Sequence, residues 1–139
     1  MTATSGKRTA QCGCGALTAT VTGDPVTVYV CSCLACQRKS GSSFTYAALF
    51  PSAAVTIAGE RKTWRHIGDS GRWIENIFCP TCGITVGFLS EGMPGVTGVS
   101  AGCFADPDFA PPATLYWGSR RHTWIGLPVG LDVQDTQDR

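Results

Sequence analysis

Apolar Leu17, Ala19 and Val21 alternate with Thr18, Thr20 and Thr22, the period-two pattern of a half-buried strand rich in β-branched residues. Gly23, Asp24 and Pro25 form a turn, and residues 26–30 return as a strand that ends at Cys31. Residues 34–39 suit one or two helical turns, with Gly41 as the stop. Further strands are predicted at 44–50, closed by Pro51, and at 54–58. Residues 63–67 and 72–78 flank Gly68, Asp69, Ser70 and Gly71, a hairpin signal. Strands follow at 84–89, around 96–99 and at 114–117, with a proline-rich loop at 106–112 and an irregular close at 118–128. Closely spaced strands with hardly any helical periodicity predict an all-β domain. It is expected to span residues 11–128, between a flexible N-terminus (1–10) and a flexible C-terminal tail (129–139).

A chain of 139 residues, 43% hydrophobic and 15% charged, has enough apolar surface for one packed core. Its net charge is +1 and no basic run exceeds two residues, which gives a nucleic-acid face no electrostatic support. No apolar stretch approaches the eighteen or so residues of a membrane span. The first ten residues lack the apolar core of a secretory signal, so a cytoplasmic location is expected.

Eight cysteines then change the picture, because in a reducing compartment clustered thiols bind metal or do redox chemistry more often than they form disulfides. Cys12 and Cys14 form C-x-C, Cys31, Cys33 and Cys36 form C-x-C-x-x-C, and Cys79 and Cys82 form C-x-x-C, leaving Cys103 alone. Cys79-Pro-Thr-Cys-Gly83 is a knuckle: its turn brings two sulfurs to one ion, and the glycine permits the positive φ that closes it. Two more ligands are needed, and Cys12 with Cys14 can supply them. That pairing leaves the triplet intact and clips a loop of more than sixty residues, where a metal contributes most to folding. A thioredoxin-like redox pair would need a βαβ setting that this pattern does not offer.

Three thiolates at Cys31, Cys33 and Cys36 with one position left over have the open form of a catalytic zinc site. The alternative is a second closed site completed by Cys103, His66 or His122. Cys103, on a predicted strand, reads as a small core hydrophobe, and the two histidines read as surface or hydrogen-bonded side chains. Arg38 and Lys39 follow the triplet directly. They can attract an anionic, thiol-bearing molecule or serve as solvated residues of a short helix.

Three motifs in order carry a resemblance: Cys12-Gly-Cys-Gly-Ala16, Cys31-Ser-Cys-Leu-Ala-Cys-Gln-Arg-Lys-Ser-Gly41 and Phe78-Cys-Pro-Thr-Cys-Gly83. Over roughly residues 10–128 the chain resembles the glutathione-dependent formaldehyde-activating enzyme family, which includes centromere protein V. The resemblance implies an all-β, Mss4-like (β-tent) fold of small antiparallel sheets pinned by zinc. It implies two zinc ions per chain: a structural one on Cys12, Cys14, Cys79 and Cys82, and a catalytic one on Cys31, Cys33 and Cys36. The implied activity joins formaldehyde, a small aldehyde, to glutathione, giving S-(hydroxymethyl)glutathione, a carbon–sulfur lyase reaction. Arg38 and Lys39 are then the expected contacts to a substrate carboxylate. Two positions depart from the family pattern: Ser32 stands where the family usually has histidine, and Gln37 where arginine is frequent. A zinc-stabilised binding module without catalysis, and a thiol redox or metal-handling protein, are the rival expectations.

Overall fold

A computed structural model describes residues 6–137. Three strands, β1 (Lys7–Gln11), β2 (Thr18–Thr22) and β5 (Val55–Ala58), make one antiparallel sheet in the order β1-β2-β5. The second sheet holds β3 (Thr27–Cys31), β4 (Thr45–Pro51), β6 (Lys62–Ile67), β7 (Trp73–Phe78), β8 (Thr85–Ser90), β9 (Val96–Ser100), β10 (Thr114–Tyr116) and β11 (Asp132–Val133). Its order is β11-β10-β3-β4-β9-β8-β7-β6. One helix, α1 (Leu34–Ser40), follows the end of β3. The all-β expectation holds, and among the described residues no helix is long and apolar enough to cross a membrane.

Two corrections concern the ends of the domain. Folded structure starts at Lys7 rather than residue 11, because residues 7–11 pair with β2 along their whole length. At the other end, Asp132 and Val133 pair with β10, and the Gln134 N–H donates to the Leu115 carbonyl at 2.8 Å, so structure runs past residue 128. Residues 1–5 and 138–139, the outermost parts of the two predicted flexible ends, lie outside the described residues. The large sheet is also not wholly antiparallel: β10 runs parallel to both β3 and β11. Local alternation carries no information on strand direction, which here is set by the long return through residues 101–113.

The large sheet is covered on both faces. Val28, Ala48, Phe50, Val86 and Val99 meet Ala10, Ala19 and Val21 of the small sheet, with Leu17 just before β2, to form the main core. On the opposite face Tyr29, Cys31, Ala47, Leu49 and Phe88 form a second cluster, half-covered by Ala35, Met93 and Trp117. This is why residues 46–50 read as a continuous apolar run: a strand buried on both sides needs no polar alternation. Burying a side chain such as Phe50 contributes about 2–3 kcal/mol.

Val86 and Phe88, two residues apart, would ordinarily share a face, yet Val86 lies in the main core and Phe88 in the second cluster. A bulge explains it. Ile77 pairs with Gly87 but Phe78 pairs with Thr85, so Val86 is the extra residue that flips the pattern. Phe88 in turn lies over Gly98, where a Cβ would come within 2.2 Å of its ring.

Candidate functional site

The two turns of the four-thiol group are built alike. In the first, the Leu17 N–H donates to Cys12 Sγ at 3.3 Å and the Gly15 N–H to the Cys12 carbonyl at 3.1 Å. In the second, the N–H groups of Thr81 and Cys82 donate to Cys79 Sγ at 3.3 and 3.5 Å, and Gly83 closes the turn at φ +79°. The sulfurs of Cys12, Cys14, Cys79 and Cys82 all lie within 4.8 Å of one another. Cys14 Sγ is 3.7 Å from both Cys12 Sγ and Cys79 Sγ. Disulfide sulfurs sit at about 2.05 Å, whereas a tetrahedron with metal–sulfur arms of about 2.3 Å has edges of about 3.8 Å. The group can hold a metal ion. Although burial pushes Cys12 up, the Leu17 N–H and the neighbouring thiols bring it down to about 6, favouring a thiolate donor.

Cys103 belongs near this group rather than to the triplet. It lies in a 3-10 turn (Ala101–Phe104), not on a strand, and its S–H donates to the Thr85 carbonyl at 3.7 Å. Burial raises its pKa first, and the charges of Cys12 and Cys82 raise it further.

Cys31, Cys33 and Cys36 form the second group, again with sulfurs within 4.8 Å of one another. Cys31 ends β3, fixed between Thr45 of β4 and Tyr116 of β10. Cys33 caps α1, its Sγ accepting from the Cys36 N–H at 3.3 Å. Gly41 stops the helix at φ +62° as predicted. Neighbouring elements bolt this short helix down. Asp69 Oδ2 accepts from the Leu34 N–H at 3.0 Å and from Arg120 Nη1 at 2.6 Å. Gln37 Nε2 donates to the carbonyls of Ser32 at 2.8 Å and Arg120 at 2.9 Å, a role its neighbours in sequence did not suggest.

Electrostatically the triplet wants a cation. Cys31 is pushed far up by hydrogen bonding with the Cys33 and Cys36 thiols and by burial. Hydrogen bonds from Cys31 and Cys33 hold Cys36 down to about 2 against burial, with the Lys39 charge helping. One thiolate thus forms at the expense of its neighbours, and a bound positive ion would favour ionisation of all three.

A pocket of about 60 Å³ opens beside these sulfurs. Apolar Tyr29, Ile74, Phe88, Met93 and Trp117 line it together with Lys39, His66, Asp69 and Arg72. Trp117 stands at φ +57°, a region that bulky residues rarely adopt and that costs of order 1–3 kcal/mol. Its Nε1–H donates to Ser70 Oγ at 3.3 Å and the Arg120 guanidinium lies 4.4 Å over its ring.

The predicted basic pair separates. Lys39 lines the pocket, its ammonium 4.6 Å over the Phe88 ring, whereas Arg38 is exposed and outside it. Neither ion pair among the described residues involves Lys39. Burial lowers its pKa, while the thiolates of Cys36, Cys31 and Cys33 act the other way. His122 is exposed in the closing segment. His66, read from sequence as a surface or hydrogen-bonded side chain, lines the pocket beside the triplet. Asn76, also missed, is buried with its side-chain nitrogen and oxygen unpartnered, which costs roughly 1–3 kcal/mol.

Comparison with known proteins agrees with this geometry. A solved structure of a Rhodobacter sphaeroides protein is similar in fold, with a TM-score of 0.56 at 19% identity, covering 74% of this chain and 91% of that one. No curated protein matches the sequence. The model of the family described as glutathione-dependent formaldehyde-activating enzyme matches residues 7–120. With most of its length matched, and with both thiol groups assembled in the fold, the chain belongs to the glutathione-dependent formaldehyde-activating enzyme family.

Proposed function

We propose that the protein is a zinc enzyme of thiol–aldehyde adduct chemistry, joining formaldehyde to glutathione or a similar small thiol to give the S-hydroxymethyl adduct. The observation that carries this reading is the three-thiol group facing a pocket that the Lys39 ammonium also lines. Cys12, Cys14, Cys79 and Cys82 hold a structural zinc, and Cys31, Cys33 and Cys36 hold a second. A zinc with three protein ligands supplies, when bound, a Lewis-acid position open to an incoming group.

The chain's own residues bind and orient. Lys39 meets a carboxylate of the thiol substrate, since no carboxylate among the described residues occupies it. Phe88 holds the lysine ammonium in place. Tyr29, Ile74, Met93 and Trp117 exclude water, which strengthens every charge interaction within the pocket. Asp69 and Gln37 fix the turn that carries Cys33 and Cys36, so the sulfurs are preorganised.

Exchange spectroscopy tests the reading. In a mixture of glutathione and formaldehyde, the protein is expected to accelerate hydroxymethyl exchange measured by NMR. No acceleration by zinc-loaded protein rejects it.

A further inference from the structure

Strand register places two rows of side chains on the pocket face of the large sheet. His66 pairs with Ile74, which pairs with Ser90, and all three line the pocket. In the next row Trp64 pairs with Asn76, which pairs with Phe88. Paired residues of an antiparallel ladder share a face, so His66 is presented to the pocket by the sheet itself rather than by a loop. Its ring is stacked on Trp64, with centroids 4.5 Å apart and planes 17° from parallel. Stacking engages the faces of an imidazole and leaves both nitrogens at its edge for a hydrogen-bonding partner.

Several other polar groups of the pocket are committed. Asp69 accepts from Leu34 and Arg120. Ser70 Oγ donates to the Gln137 carbonyl at 2.8 Å and accepts from Trp117, and Ser90 Oγ accepts from the Gly92 N–H at 3.3 Å. The three thiols are ligands in the reading above, and Lys39 is its anion contact.

We propose that His66 is a catalytic residue that carries the proton in adduct formation, an inference that rests on the thiol–aldehyde reading of the pocket. Joining a thiol to formaldehyde forms one S–C bond and turns the carbonyl π bond into an O–H. The sulfur loses a proton and the oxygen gains one, so the sum needs no other reactant. His66 accepts the S–H proton as the sulfur electron pair attacks carbon, the π pair moves to oxygen, and the imidazolium returns the proton there. Imidazole is the side chain suited to both halves near neutral pH. The titratable and charged groups that line the pocket with it are Lys39 from α1, the three thiols, Tyr29 from β3, and Asp69 and Arg72 from the β6–β7 turn. Arg65 and Glu75, adjacent on β6 and β7, pair with each other at 3.2 Å and alternate to the opposite face.

The test compares wild type with His66→Asn and His66→Ala by hydroxymethyl exchange between pH 5.5 and 8.5, with zinc content and glutathione affinity measured alongside. The expectation is a loss of about 100-fold at neutral pH in both variants, in line with general acid–base catalysis. Zinc content and glutathione affinity should be unchanged, and added imidazole should restore part of the rate of His66→Ala. If wild type accelerates exchange and His66→Asn keeps its rate and pH profile, the assignment of His66 is overturned while the adduct chemistry stands. Loss of zinc or of glutathione affinity in the variants would overturn it too, making His66 a binding group. A wild type without activity removes the reading and this inference together.

Discussion

The two thiol groups use the same chemistry on opposite faces of one sheet. Cys12 and Cys79 sit within the main core, where the small sheet meets the large one, and with Cys14 and Cys82 they gather four sulfurs that could hold one ion. Cys31 and Cys33 belong to the second cluster, where three sulfurs border a pocket instead of a fourth ligand. The first joins segments 65 residues apart, while the second lies within six consecutive residues. Closing a long loop is where a metal has most folding free energy to contribute; closing a short one leaves the ion free for chemistry. On the proposed reading, the difference in sequence span separates a site that makes the fold from a site that the fold makes.

Substitution in the closed site should have the largest effect. Cys79→Ser or Cys82→Ser is expected to unfold the domain, since a structural zinc is worth about 10 kcal/mol or more in small zinc modules; circular dichroism would reveal it. Cys33→Ser should instead give a folded protein lacking exchange activity, and equal loss of melting temperature in the two variants would erase the distinction. Gly98→Ala disturbs only the open site's face by pushing on Phe88 and, through it, on Lys39. A loss of about 1–3 kcal/mol in urea unfolding is expected, as for other overpacked positions, together with weaker glutathione binding.

Lys39→Met should weaken glutathione binding about 10-fold to 100-fold, the scale of one charged hydrogen bond, whereas calorimetry of Arg38→Met should show little change. Because burial depresses the Lys39 pKa, its contribution should fade as pH rises, beginning below the 10.5 of an ordinary lysine. Asn76→Leu sharpens the comparison with the smallest effect. Replacing a buried, unpartnered amide by an apolar group of similar size should be neutral or stabilising, and a large loss would mean that the amide has a partner in the working protein.

Much of this organisation was legible from the residues, for different reasons in different places. The strands showed because β-branched alternation and glycine or proline turns are local signals, and the thiol groups showed because ligand spacing is local too. Pairing Cys12 and Cys14 with Cys79 and Cys82 followed from the count of ligands in a tetrahedron, an intact triplet and the long loop that it closes. His66 was not legible, since its role depends on register: only the pairing with Ile74 and Ser90 puts it on the pocket face. The bulge at Val86 was equally hidden, although it decides that Phe88 turns toward Lys39. Lys39 and Arg38 looked equivalent as neighbours, and the helix turned one inward and the other to solvent. Strand β1 was missed because Lys7, Arg8 and Thr9 look like a polar end, while pairing with β2 satisfies their backbone.

Zinc per chain, measured by elemental analysis on wild type and Cys33→Ser purified under reducing conditions without chelator, tests the two-site account most directly. The account predicts about two zinc ions in wild type and about one in a Cys33→Ser variant that remains folded, one for each thiol group. A wild type with about one zinc, or a Cys33→Ser variant that unfolds as Cys79→Ser does, would contradict it.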